Sequence, residues 1–208
     1  MFEEVLYPET IEVIELLRPN LETFYLAGGT GLTLQLGHRR SDDLNFFSET
    51  LFNTESFLSL VSPDKILFTS LGTVHCEIKG IRISFLYYNV PLIYPALSWH
   101  GIKVADYKDI VAEKIKTISQ RGAKKDFIDL YAVLKMKHSI SEVCNFFKKR
   151  FAASGINFYH VLRSLVYFED AETEPNPLIL LRGKEWQWDN IKSFFINNIP
   201  IFERELGL

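Results

Sequence analysis

Two short stretches of this chain carry groups whose type and spacing could do chemistry. Gly28-Gly29-Thr30 follows the apolar run Phe24-Tyr25-Leu26-Ala27. A strand that ends on paired glycines and feeds a helix lets backbone N–H groups approach phosphate oxygens with no Cβ in the way. The helix start then adds a partial positive charge, and Thr30 adds a hydroxyl donor. Asp43-Leu44-Asn45 lies in a second strand-like run with Phe46 and Phe47. Residues two apart on a strand share a face, so Asp43 and Asn45 are placed side by side, the arrangement by which carboxylates hold a divalent metal against a triphosphate. Plainer readings stand beside these: a strand-to-helix turn for the glycines, a solvated strand-edge acid for Asp43 and a structural amide for Asn45.

The elements around these stretches follow from hydrophobic spacing. Glu9 to Leu17 reads as a helix stopped by Arg18-Pro19-Asn20, Phe24 to Ala27 as a buried strand, Thr30 onward as a helix, and Leu44 to Phe47 as a second strand. After a short helix over Thr54 to Leu60, Lys65 to Leu71, Thr73 to Lys79 and Ile81 to Tyr88 form an antiparallel meander broken at Gly72 and Gly80. From Asp106 the period changes. Helices are predicted over Tyr107 to Gln120, Lys125 to Met136, Ile140 to Phe151, Phe158 to Phe168, and Asp189 to Glu205 with an interruption at Pro200. Glu172 to Pro177 reads as a linker. The fold class is α+β: a small mixed sheet flanked by helices over residues 1–105, and a mainly helical part over residues 106–208 that packs on this core and completes its site as one structural unit.

Composition narrows the function. With 208 residues, 47% hydrophobic and 24% charged, the chain has the makeup of one ordinary globular core, and its 17 Phe and 9 Tyr make that core aromatic. A net charge of -3 gives no overall pull toward polyanions, so any nucleic-acid contact needs a local basic patch. Cys76 and Cys144 are in no zinc-ligand or disulfide pattern and read as core thiols of a reducing, cytoplasmic protein. No apolar run reaches membrane-spanning length. His75, His100 and His160 have no ligand partners at motif spacing and are taken as structural. The aromatics between Phe146 and Phe168 recur at helical spacing and read as core.

Tyr25-Leu26-Ala27-Gly28-Gly29-Thr30-Gly31-Leu32, then His38-Arg39-Arg40-Ser41, then Asp43-Leu44-Asn45-Phe46-Phe47, resembles the AbiEii/AbiGii nucleotidyltransferase toxins. A second block, Ala112-Glu113-Lys114-Ile115-Lys116 with Gln120 to Tyr131, follows in the family's order. The resemblance implies the nucleotidyltransferase fold and transfer of a nucleotide from an NTP to an RNA or protein acceptor. It implies Mg2+ or Mn2+ on Asp43 with Asn45 as a weak ligand, and a cognate antitoxin in a toxin-antitoxin or phage-defence pair. It gives Gly28, Gly29, Thr30, Arg40 and Lys114 to the nucleotide. Asp126 would orient Lys114 or activate the acceptor hydroxyl. An exposed helical lysine and two helix-start carboxylates, Asp126 and Asp129, are the alternatives. Arg39, Arg40, Arg121, Lys124 and Lys125 form two basic clusters suited to RNA or triphosphate, or to plain solvation. Asn45 and Ser84 stand where relatives carry carboxylates. They raise a second reading, a domain that keeps the fold and acts by binding nucleotide or a partner.

Overall fold

A computed structural model describes all residues, Met1 to Leu208. The chain divides into a first unit of residues 1–35 and 40–106, and a second of residues 36–39 and 107–208.

In the first unit, α1 (Pro8–Leu17), β1 (Tyr25–Ala27), α2 (Gly28–Leu36), β2 (Leu44–Ser48) and α3 (Thr54–Val61) precede β3 (Lys65–Ser70), β4 (Thr73–Ile78) and β5 (Ile81–Tyr87). A final pair, β6 (Leu97–Trp99) and β7 (Ile102–Val104), closes it. The strands form one mixed sheet in the order β3-β4-β5-β2-β1-β7-β6. β1 runs parallel to β7 and β2 parallel to β5, while the other neighbours are antiparallel. Strict alternation sets the faces: Leu44, Phe46, Val74, Cys76, Ile83 and Phe85 are buried on one side. Asn45, His75 and Ser84 are half-buried on the other. Phe85 packs edge-on against Phe24 and Phe57 and stacks on Phe46, so the many phenylalanines of the early chain serve this core.

The meander has the expected antiparallel pairing, and β6 and β7 add a hairpin that was not expected. Each is only three residues long, and β7 becomes a strand through its non-local pairing of Val104 with Leu26. α2 starts two residues earlier than expected. Gly28 takes φ of +64°, turning the chain from strand to helix within one residue.

The second unit contains α4 (Tyr107–Arg121), α5 (Lys124–Met136), α6 (Ile140–Phe151), α7 (Phe158–Ser164), α8 (Glu169–Glu172) and α9 (Trp188–Leu206). α6 begins on a capping box: Ser139 Oγ accepts the Glu142 N–H, and Glu142 accepts the Ser139 N–H in return. Phe127 of α5 meets the rings of Phe168, Trp188 and Phe195 at the centre of the bundle. Two expectations are corrected. The helix predicted over Phe158 to Phe168 stops at Ser164, and α9 runs through Pro200 without a break. Buried Ile191, Phe195, Phe202 and Leu206 hold α9 on both sides of the proline. Ile196, whose carbonyl has no N–H to accept at Pro200, is 55% exposed and open to solvent. Nor is Glu172 to Pro177 a bare linker: Glu174 accepts the Lys124 backbone N–H, and Lys124 Nζ donates to the Glu174 carbonyl and Asn176 Oδ1.

Candidate active site

The first unit assembles its polar residues around the β1-to-α2 turn. Gly28 lies so close to β2 that a Cβ there would sit 3.2 Å from Asn45 Nδ2. Backbone therefore passes beside Asn45 where a Cβ would crowd it, and the positive φ of Gly28 disfavours any other residue there. The first turn of α2 supplies N–H groups that lack helical partners, which suits a phosphate. Thr30 has a different task from the expected one. Its side chain is fully buried, and its hydroxyl donates to the Asp43 carbonyl at 2.5 Å and shares a 2.8 Å hydrogen bond with Ser41 Oγ. Thr30 thus fixes the segment entering β2 and aims Asp43, with no proton left for a ligand. Arg40 is likewise engaged, stacked 4.6 Å over the Tyr7 ring and reaching the Leu6 carbonyl.

Across the open face of the sheet the register places Asn45 of β2 beside Ser84 of β5, and Ser84 beside His75 of β4. His75 Nδ1 and Ser84 Oγ are 2.8 Å apart. Asp43 Oδ1 pairs with Arg82 Nε at 3.2 Å. The donor set on this face is then one carboxylate already shared with a guanidinium, one carboxamide and one hydroxyl that is bonded to an imidazole. No group of three or more His, Cys, Asp or Glu side chains gathers anywhere in the chain in a way that could hold a metal ion. Hard dications take anionic oxygens at short range, so these residues do not fit a protein-held pair of Mg2+ ions.

The second unit concentrates its charges in the interior. Asp129 on α5 is fully buried and accepts from Arg39 Nε at 2.7 Å, from Arg39 Nη2 at 2.8 Å and from Lys114 Nζ at 2.6 Å. His38 Nε2 lies 2.8 Å from the same carboxylate. Lys114 on α4 also reaches Asp126 Oδ1 at 2.6 Å, and Arg121 closes on Asp126 from the rim at 3.0 Å. Burial opposes the charge on Asp126 and Asp129, but Lys114 and Arg121 for the one, and Arg39 and Lys114 for the other, outweigh it and hold both carboxyls below their ordinary range, Asp129 far below. Burial also opposes the Lys114 charge, and its two aspartates overcome that and raise its pKa. For His38 burial wins and lowers the pKa, which keeps the ring neutral.

Lys114 and Asp126 are therefore brought together, in a dry network in place of an exposed helix face. Lys114 is 5% exposed with both carboxylates in contact, so the geometry makes it a brace between α4 and α5. Arg39 and Lys124, expected on a basic surface, are also buried and bonded. Sequence reasoning undervalued Asp129, the centre of this network. The signal was present: Asp126 and Asp129 are three apart on a helix, hence on one face. It also took His75 as a structural histidine, and no local spacing reveals its partner, because Ser84 meets it only through strand pairing. Burial pushes the Cys76 thiol up to about 11 and the Cys144 thiol up to about 12, leaving both inert.

Residues 81–203 match the family described as nucleotidyl transferase AbiEii toxin of type IV toxin-antitoxin systems. An uncharacterized protein of Aquifex aeolicus is 37% identical over 181 residues, covering 83% of this chain and 84% of that protein. Among solved structures, a presumptive nucleotidyltransferase from H. pylori is similar with a TM-score of 0.52 at 14% identity, over 99% of this chain and 94% of the other. MenT4, a nucleotidyltransferase toxin of Mycobacterium tuberculosis, is similar with a TM-score of 0.53 at 14% identity, over 95% of this chain and 85% of its own. At such identities these two likenesses show the fold, which is the nucleotidyltransferase fold. No helix is long and apolar enough to cross a membrane. The family match begins at β5, so it is carried by sequence outside the Gly28 turn, while the fold likeness takes in that turn as well; on the family match, which spans more than half of its length, the chain belongs to the AbiEii nucleotidyltransferase toxin family.

Proposed function

We propose that this chain transfers a nucleotide from an NTP to a hydroxyl of an RNA or protein acceptor, acting in the cytoplasm as the toxin of a toxin-antitoxin pair with a cognate antitoxin. The observation that carries this reading is the Gly28 turn: a strand delivered directly into a helix start, against Asn45, with Asp43 aimed by Thr30. In this reading the N–H groups of Gly28 and Gly29 receive the phosphates. Mg2+ or Mn2+ arrives as the counter-ion of the triphosphate and is part of the substrate. Asp43 faces that complex, and Asn45 offers it a neutral oxygen. Lys114 and Asp126 act as supports, bracing α4 and α5. The test is incubation with labelled NTPs, Mg2+ or Mn2+, and total RNA or protein. Label transferred by the unaltered chain and lost in Asp43→Ala supports the reading. No transfer to either acceptor class, with toxicity unchanged in Asp43→Ala, rules it out.

The pairing of Asp43 with Arg82, together with Asn45 and Ser84, favours one other reading: a nucleotide-binding domain without turnover. That reading requires NTP to bind equally well in EDTA. It also requires Asn45→Asp to strengthen binding of the dication, and robust turnover by the unaltered chain removes it.

A further inference from the structure

Every transfer to a hydroxyl needs a group that takes the hydroxyl's proton, and the open face of the sheet is poor in such groups. Asp43 pairs with Arg82 and is given to the incoming metal–triphosphate, and Asn45 and Ser84 are neutral. Of the two further bases on that face, Glu77 lies cross-strand from both Lys65 and Arg82, and His75 is the one bonded to Ser84. It stands one strand beyond Ser84, and its ring leans back so that Nδ1 meets Ser84 Oγ at 2.8 Å. Phe68 of β3 supports the ring from the other side, with centroids 5.9 Å apart. In the tautomer that donates Nδ1–H to Ser84 Oγ, Nε2 keeps its lone pair. Fixing one imidazole nitrogen so that the other works as a base is the general logic of an oriented histidine.

We propose that His75 is the general base of the transfer reaction and Ser84 its positioning residue. This rests on the nucleotide-transfer reading above. The acceptor oxygen attacks the α-phosphorus of the NTP, forming an O–P bond, as Nε2 takes the hydroxyl proton. The bond from the α-phosphorus to the bridging oxygen breaks, and pyrophosphate leaves with that electron pair. His75 then returns its proton to solvent. The charged groups sharing its face are Glu77 on its own strand, Lys65 opposite Glu77 on β3, Arg82 opposite Glu77 on β5, and Asp43 beside Arg82. They alternate in sign, so none leaves the imidazole beside an uncompensated charge.

The test compares the unaltered chain with His75→Ala, His75→Gln and Ser84→Ala, with nucleotide affinity read separately from turnover by a fluorescent NTP analogue. The proposal expects His75→Ala and His75→Gln to transfer roughly 100-fold more slowly, with nucleotide Kd unchanged within about twofold on the same footing. Added imidazole should restore part of the rate in His75→Ala. Ser84→Ala should slow transfer by a smaller factor, about tenfold, and the acidic limb of the rate profile, present in the unaltered chain, should vanish in His75→Gln. Retention of the full rate and of the acidic limb in both His75 variants overturns the inference and leaves the transfer reading standing. A silent unaltered chain overturns both. Should the His75 variants fail to fold, judged by circular dichroism and melting, Ser84→Ala decides: an unchanged rate and profile there also overturns the inference.

Discussion

Two of the places where this molecule brings cations and carboxylates together do so in opposite surroundings. In the second unit, Asp126 and Asp129 are sealed at no exposure with Lys114, Arg39 and His38 around them. In the first, Asp43 meets Arg82 with their side chains 35% and 69% exposed. The buried group is held by what it would cost to leave any member alone in a low dielectric, so it behaves as architecture. The exposed pair is screened by water and free to exchange partners, which is what a site that receives a charged ligand needs. A motif match assigns Lys114 and Asp43 alike to the site, whereas their environments separate them.

The largest effect that sharpens this contrast is expected at Asp129. Asp129→Asn removes the charge that Arg39 and Lys114 share, and is expected to lower unfolding free energy by about 4 kcal/mol, read by urea denaturation. Lys114→Met is next, at roughly 3 kcal/mol, since Asp126 keeps Arg121 and Asp129 keeps Arg39. A Lys114→Met protein as stable as the parent yet unable to bind NTP would break the contrast, because Lys114 would then belong to the ligand.

Acidity gives a third and graded test. Asp126 and Asp129 have folded pKa values below their ordinary ones, so their stabilisation is present above about pH 4 and is lost as pH falls through the folded values. His38 is also lowered, so below about pH 6.5 the unfolded chain gains a proton that the folded ring refuses, and stability falls from there downward. Lys114 is raised, so its contribution holds below about pH 10.4 and is lost as pH climbs through its folded value. The urea midpoint should therefore be highest between these limits, with His38→Gln removing the upper part of the acid slope. At the exposed pair the effects on folding should be smallest. Asp43→Ala should shift unfolding by no more than about 0.5 kcal/mol while abolishing transfer, and Arg82→Ala should leave the unfolding midpoint in place. A cooperative loss of folding in either variant would show that the exposed pair is architecture too.

What could be read from the amino-acid order depended on how local its cause was. α6 was predicted to the residue because both of its ends are written locally, in a capping box at Ser139 and Glu142 and in the amphipathic run to Phe151. The turn at Gly28 and the alternation around Asp43 and Asn45 were legible for the same reason. β6 and β7 were not, since three-residue strands owe their existence to partners far along the chain. The burial of Arg39 and Lys124 was also hidden. Charged residues read as surface until the partner is known, and the partner of Arg39 is 90 positions away. His75 was passed over because its significance comes from register across the sheet.

The placement of Leu36–Arg39 within the second unit has a consequence for the order in which the protein can be made. His38 and Arg39 leave the ribosome long before Asp129, from which they are separated by 91 and 90 positions. For that interval a cation destined for the interior must wait in water, and Asp129 among the helices from Tyr107 onward has Lys114 alone as counter-charge until the early segment joins them. A fragment begun at Tyr107 would carry Asp129 with Lys114 but without Arg39, and should gain stability when a peptide spanning Leu36–Arg39 is supplied in trans.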